Sequence, residues 1–423
     1  MTGSASRSAL VAGAGIVGIA CASWLQRDGW SVTLVDPADP AEAGASAGNA
    51  GLIAVHIARP IGMPGIWKSV PKMLADPAGP LSVDPAYLPR IAPWLVRLLF
   101  ASAPAKVGRI AGDLKRLLDG AWAGLDPLVA SAGAGDLVAR RGVFVAYPGE
   151  AERAVAKVEH DLLRGVGVRI EPVDAAGLRE RLPGLGPRYG AAVFFPDSGH
   201  SLEPQALARR LFDRFVADGG TFVRAPLEGF RDGGGAIHSA SVGGADRTAD
   251  LYVCAAGIWS GEICRRLGYR TPLDTERGYH ITVADPGVDL PAPVILSDAK
   301  FAVTPMAPGI RFAGTIEFAG TAAPPKPARF DALLAGARRA FPGLRTDRIS
   351  RWMGFRPSFP DSLPAIGRAP RHGNLLVAFG HGHLGLTLAG VTGRLVAELA
   401  SDAGPSIDLS PYRLDRFAPG VRP

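Results

Sequence analysis

Gly13, Gly15 and Gly18 fall at the spacing G-x-G-x-x-G, and Asp36 follows eighteen residues after the last of them. That combination suits the pyrophosphate and ribose of a dinucleotide. Gly13 permits a tight turn, Gly15 lets the pyrophosphate reach the backbone, and Gly18 lets a helix pack close to a strand. The start of that helix, Ile16 and Val17 included, offers free N–H groups and positive dipole to phosphate. Asp36, followed by Pro37, supplies a carboxylate for ribose hydroxyls. Three further segments carry small residues where backbone can approach a flat ring. One holds Ser46, Gly48, Asn49, Ala50, Gly51 and Leu52. A second holds Ala256, Gly257 and Trp259 after an apolar strand. The third runs Gly380, His381, Gly382, His383, Leu384, Gly385 and opens a helix, so its N–H groups can face an electron-rich edge.

Positioning these turns takes alternating strands and helices. The apolar run before Gly13 reads as a buried parallel strand, residues 19–27 as a helix and residues 31–35 as a second strand. Residues 86–100, 106–131, 150–164, 203–217, 328–341 and 385–400 read as further helices. Residues 142–147, 168–170, 191–195, 221–224, 350–360 and 375–380 read as strands. Residues 228–230, 236–242 and 249–254 suit a hairpin set, and residues 276–284, 301–306 and 311–318 an antiparallel sheet over a ligand-sized space. The proline-rich 60–85 stretch reads as irregular. This order implies a discontinuous nucleotide domain with a substrate domain inserted into it.

At 423 residues the chain holds one to three domains, and 47% apolar with 20% charged residues describes a folded soluble protein. The net charge of +7 favours anionic substrates. No basic run with interleaved aromatics occurs, which argues against nucleic acid. The three cysteines, Cys21, Cys254 and Cys264, make no disulfide framework and no metal-ligand spacing, and they fit a reducing compartment. The first strand begins almost at the N-terminus, so no signal peptide is expected and the cytoplasm is the expected location. Residues 11–25 are apolar but too short and glycine-rich for a membrane span. The 86–100 helix, with Arg90 and Arg97, could rest on the inner membrane as a peripheral contact. A core-facing role is the preferred reading.

Five runs carry a family resemblance: Gly13-Ala-Gly-Ile-Val-Gly18, Gly48-Asn-Ala-Gly51, Pro272-Leu-Asp-Thr-Glu-Arg-Gly-Tyr-His280, Trp352-Met-Gly-Phe-Arg356-Pro-Ser-Phe-Pro-Asp361 and Gly380-His-Gly-His-Leu-Gly385. Together they resemble the D-amino-acid oxidase-like flavoprotein superfamily, in its D-amino-acid dehydrogenase type. Within that type they resemble the branch of glyphosate oxidoreductase and D-hydroxyproline dehydrogenases. The likeness covers nearly the whole chain. It implies FAD rather than NAD, which the glycine spacing leaves open. The implied fold is α/β plus antiparallel β: a Rossmann-like FAD domain of the GR2 type with an inserted α+β substrate domain. Residues 1–60, 200–268 and 350–423 would form the FAD-binding part, and residues 61–199 and 269–349 the substrate part.

The same resemblance places Arg356 on the substrate carboxylate. A guanidinium fork suits a carboxylate bidentately where a lysine does not; the alternative is a structural ion pair with Asp361. Tyr279 and His280 are strand neighbours, so one of them faces substrate. His381 and His383 would stand beside the flavin, His383 with a catalytic role. Lys300 lines the pocket in this reading or lies on the surface, and His56 is an outlying candidate. Leu227, Gly354, Leu386 and Thr387 complete the cofactor set. No cysteine follows Cys264, so the FAD is expected to be non-covalent. The implied reaction oxidises the C–N bond of a D-amino acid or secondary amino acid, of the D-proline or cis-4-hydroxy-D-proline type. Hydride passes to flavin N5 and an imine, then a keto acid, results. A quinone, another acceptor or O2 takes the electrons. The alternatives are an N-substituted glycine such as glyphosate or sarcosine, and a flavoprotein subunit inactive without partners. A flavin monooxygenase is discounted, because Ile366-Gly-Arg-Ala stands where Gly-Asp-Ala is usual.

Overall fold

In a computed structural model of the chain, residues 7–42, 44–69, 81–401 and 404–418 are described. The opening apolar run forms the strand Ser8–Ala12, buried at every residue after Ser8. Continuous burial rather than alternation marks a strand covered on both faces. It pairs in parallel with Ser31–Asp36 on one side and Leu251–Cys254 on the other. The full sheet runs Thr221–Arg224, Ser31–Asp36, Ser8–Ala12, Leu251–Cys254, Leu375–Phe379, Ala365–Arg368, and its last pair is antiparallel. Three neighbouring parallel strands therefore end side by side, and the three glycine-bearing segments at 13–18, 255–259 and 380–385 leave the sheet together. Ligands collect at such strand ends.

The helices Ile16–Arg27 and Gly385–Ala400 pack together over this sheet. Their contact is close: a Cβ on Gly393 would lie 2.6 Å from the Ala20 carbonyl oxygen. Val11, Ile19, Leu34, Ala389 and Val396 share one buried core. Burying each larger aliphatic side chain contributes about 1.5–3 kcal/mol.

A second, nine-stranded sheet carries the rest of the site. Arg348–Ser358, Asp274–Ala284, Gly309–Phe318 and Phe301–Met306 are antiparallel neighbours in that order. The helix Pro327–Ala340 packs Phe330, Leu333 and Ala337 into the core beside Val303 and Phe312.

Several elements differ from the sequence reading. The 350–360 strand belongs to the second sheet, paired along its length with Asp274–Ala284. The 249–254 strand leaves the hairpin set and enters the nucleotide sheet. The 106–131 helix is two, Pro104–Asp119 and Ala121–Ser131. They meet at Gly120, where a Cβ would press on Val391 at 2.7 Å. The 150–164 helix is likewise two, Glu150–Val155 and Lys157–Gly165. Residues 168–170 stay unpaired, because pairing begins at Glu171–Val173. The loop after Asp36 contains one helical turn, Gly44–Ala47. Of the 60–85 stretch, residues 70–80 lie outside the described residues. The 86–100 helix spans Leu88–Ala101, buries Ile91, Trp94 and Leu98, and leaves Val96, Leu99 and Phe100 exposed. Among the described residues no helix is long and apolar enough to cross a membrane.

Candidate active site

A cavity of about 470 Å³ is lined by residues from both sheets. At its nucleotide end Gly13 has φ +107°, a left-handed backbone, and a Cβ there would lie 2.5 Å from the Ala255 carbonyl oxygen. A Cβ on Gly18 would sit 1.8 Å from the Gly13 carbonyl oxygen, so the helix rests directly on the turn. In front of Gly15 the nearest atom to a Cβ is the Ser46 hydroxyl, 3.3 Å away. The Ile16 N–H donates to that hydroxyl at 3.0 Å. Asp36 accepts from the Ala14 N–H at 2.8 Å and the Ala38 N–H at 2.9 Å, which ties the turn to the second strand. Helix N–H groups, absent side chains and a carboxylate at the strand end fit the pyrophosphate and ribose of FAD.

The other wall comes from one face of the second sheet. Three cross-strand pairs lie in register on it: Glu276 with Arg356, Gly278 with Gly354 and His280 with Trp352. Residues two apart on a strand share a face. The Arg356 guanidinium lies over Gly278, where a Cβ would meet Cζ at 2.3 Å. The Trp352 indole lies over Gly354 and Gly48, whose Cβ atoms would meet its ring at 2.0 Å and 2.1 Å. His280 stacks on Trp352 with centroids 5.1 Å apart. Its Nδ1 donates to the Gly48 carbonyl at 2.9 Å.

Burial and the Arg311 charge push the His280 imidazole down to about 3. Burial and the Arg356 and Arg59 charges do the same to His383, also to about 3. Burial alone takes His381 to about 3, with Nε2 against the Thr392 hydroxyl at 2.9 Å. The three rings are therefore neutral at physiological pH. Arg356 gives one Nη1 hydrogen to the Thr315 carbonyl at 3.1 Å. Among the described residues it is the only Lys or Arg lining the cavity. Such an arrangement can hold an electron-poor planar ring at the glycine turns and an anion opposite them.

The sequence model of the FAD dependent oxidoreductase family called DAO matches residues 8–399. The chain belongs to the DAO family of FAD-dependent oxidoreductases. It is 38% identical over 421 residues to a D-amino-acid oxidase of Bradyrhizobium diazoefficiens, with 97% of this chain and 99% of that one covered. It is 30% identical over 425 residues to a D-amino acid dehydrogenase of Cereibacter sphaeroides, at 98% and 96% coverage. The crystal structure of glycine oxidase from Geobacillus kaustophilus superposes with a TM-score of 0.72 at 20% identity, covering 97% of this chain and 99% of that one, which shows the fold. The DAO-family chain thus has the Rossmann-like FAD-binding fold, uses FAD and oxidises an amine.

Most residues singled out in this DAO-family sequence meet at the cavity. Gly13, Gly15, Ile16, Val17, Asp36, Pro37, Ser46, Gly48, Asn49 and Ala50 line it, as do Leu227, Ala256, Gly257 and Trp259. So do His280, Gly354, Arg356, Gly380, His381, Gly382, His383, Gly385 and Leu386. Gly18, Gly51, Leu52, Leu384 and Thr387 do not line it. Gly18 packs behind the turn. Thr387 accepts from the Ala54 N–H at 2.9 Å and supports the loop from behind. Tyr279 reaches the cavity wall, but its hydroxyl donates to Glu317 at 2.6 Å on the opposite face of the strand. Lys300 is a correction: it sits exposed in a turn with φ +56° and lines no part of the cavity. His56 also lies outside it, with Nδ1 2.8 Å from the Ser198 hydroxyl and its ring stacked on Phe195. The ion pair considered between Arg356 and Asp361 is not formed, since Asp361 holds Arg416 at 2.7 Å. No cysteine lines the cavity; all three are buried elsewhere. Sequence reasoning missed Trp352 as a wall residue. The signal was present, for Trp352, Gly354 and Arg356 alternate along one strand.

Proposed function

We propose that the enzyme oxidises the C–N bond of a D-amino acid or a cyclic secondary amino acid, with D-proline and cis-4-hydroxy-D-proline as leading substrates. The observation that carries this reading is the Arg356 guanidinium, among the described residues the only Lys or Arg lining the cavity, beside Gly278, Trp352 and the neutral His280 and His383. The named activities of the two sequence relatives, on D-amino acids, support it.

Bound at the glycine turns, FAD supplies the two-electron acceptor that a quinone, another acceptor or O2 reoxidises. Arg356 binds the substrate carboxylate with the N–H groups not engaged by Thr315. Fixing the carboxylate fixes Cα, and such positioning is worth several kcal/mol of the barrier. Gly278 makes room for the guanidinium and Gly354 for the Trp352 indole, while Trp352 and His280 close the far wall. His280 gives its Nδ1 hydrogen to Gly48, so its neutral ring presents Nε2 as an acceptor for a substrate amine N–H. The neutral His383 adds no cation that would repel the amine. The released imine hydrolyses in water to the keto acid, or stays cyclic when the substrate is a proline.

Residues 1–60, 200–268 and 350–423 are assigned to FAD and residues 61–199 and 269–349 to substrate, with the Arg348–Ser358 strand serving both. The cofactor is held without a covalent bond, and the buried free cysteines suit the cytoplasm. Anaerobic bleaching of the flavin by a panel of D-, L- and N-alkyl amino acids tests the reading. Fastest bleaching by D-proline or cis-4-hydroxy-D-proline supports it. Fastest bleaching by sarcosine or glyphosate moves the assignment to N-substituted glycines, and no bleaching by the purified chain means that partner subunits are needed. An oxygen trace in air separates oxidase from dehydrogenase.

A further inference from the structure

We propose that Glu276 is a positioning residue for Arg356, acting together with the Thr315 carbonyl; the inference rests on Arg356 being the carboxylate anchor. Glu276 stands directly opposite Arg356 in the strand register. Residues so placed point to the same face about 5 Å apart, and opposite charges there attract. Glu276 is fully buried, and neither carboxylate oxygen has a hydrogen-bond partner among the described residues. A buried carboxyl without direct partners either takes up a proton or has a cation close by. The other acids at this end of the ladder are engaged elsewhere. Asp361 holds Arg416, and Asp274 accepts from the Tyr87 hydroxyl at 3.1 Å. The counter-charge of the guanidinium is therefore Glu276. Burial holds the Glu276 carboxyl above its ordinary value, and the Arg356 charge is the largest influence opposing that rise.

The second device is in the backbone. The strand Gly309–Phe318 slips register against Asp274–Ala284 between Arg277 and Tyr279. Within the slipped stretch Thr315 has φ +60°. A β-branched residue in the left-handed region is an outlier that its surroundings must enforce. The bulge turns the Thr315 carbonyl toward Arg356 Nη1, 3.1 Å away. Glu276 from the neighbouring strand and Thr315 from the next thus fix the guanidinium over Gly278 and leave its other N–H groups for a ligand. Glu276 does not line the cavity, so it acts through Arg356 rather than on substrate.

The test compares wild type with Glu276→Gln, Glu276→Asp and Arg356→Lys, all loaded with FAD. KM and kcat are read with D-proline. The Kd of benzoate, a carboxylate without an amine, is read from the perturbed flavin spectrum, and Tm is recorded for each. Glu276→Gln is expected to raise KM and the benzoate Kd about tenfold, because a small misplacement of an anchor is expensive in rate and affinity. Its Tm is expected to stay near wild type, since the amide keeps the shape of the carboxyl and Arg356 opens onto the cavity. Glu276→Asp keeps the charge and recovers part of the loss; if only this variant accumulates, an unchanged KM overturns the proposal. A Gln variant that binds benzoate as tightly as wild type, or more tightly, overturns it too. So does a loss of binding that merely follows a fall in Tm. If Arg356→Lys itself leaves benzoate binding intact, the carboxylate reading fails. If Arg356→Lys weakens binding and Glu276→Gln does not, only the positioning role fails.

Discussion

The two faces of the strand Asp274–Ala284 handle charge in opposite ways. On the back face Tyr279 donates to Glu317 at 2.6 Å, and Arg277, Lys326 and Arg329 lie 3.4, 2.8 and 3.7 Å from the same carboxylate. Arg277 also holds the Ala323 and Pro324 carbonyls at 2.9 Å and 3.0 Å. On the cavity face Arg356 has, among the described residues, one backbone acceptor, with Gly278 below it and neutral histidines around it. Cations that meet a carboxylate side chain at contact distance organise the fold. A cation held in place but left with open donors organises a ligand.

Mutations on each face should separate these roles. The largest effect is expected for Glu317→Gln, which strands buried guanidinium groups and costs about 3–5 kcal/mol of stability. Thermal or urea unfolding checks it, and KM for the amino acid should hold in the surviving folded enzyme. Arg356→Met is next. Removing a charge-assisted anchor should raise KM about 100-fold in steady-state assays, with a smaller fall in Tm than Glu317→Gln causes, because the single carboxyl left behind, Glu276, can take up a proton. If instead Arg356→Met unfolds the chain and Glu317→Gln spoils substrate binding, the contrast between the faces is wrong. Gly278→Ala places a methyl where the guanidinium lies, at 2.3 Å from Cζ, and should raise KM about tenfold with the anchor still present.

The pH dependence of stability is a further test. His280, His381 and His383 drop from an ordinary 6.5 to about 3, so between those values the unfolded chain binds protons that the folded chain does not. Stability therefore rises with pH through that window, is complete above about 6.5 and drains away as pH falls toward 3. Tm should fall on acidification from pH 7 to pH 5, and replacing His280 by Asn should flatten the curve. A Tm that rises on acidification would mean that these rings are charged in the fold.

The nucleotide end was legible because its chemistry is local. Gly13, Gly15, Gly18 and Asp36 lie within one strand–helix–strand unit, where spacing alone sets geometry. The three glycine turns could be named for the same reason. The reactive end depends on pairing between distant strands. Nothing in the sequence shows that Glu276 faces Arg356, or that a bulge at Thr315 turns a carbonyl toward it. The parity of Tyr279 and His280 stayed open because the core face carries Arg277 beside Tyr279, so burial does not follow polarity along that strand. The resemblance also suggested Lys300, which the turn before Phe301–Met306 carries out to the surface.

The central claim is that Arg356 grips a carboxylate next to the flavin. Anaerobic absorbance titration of the FAD-loaded enzyme with D-proline and, separately, with pyrrolidine tests it most directly, because the two differ only in that carboxylate. Rapid bleaching by D-proline with little or none by pyrrolidine is the predicted result. Equal bleaching by both, or a protein that takes up no flavin, would contradict it.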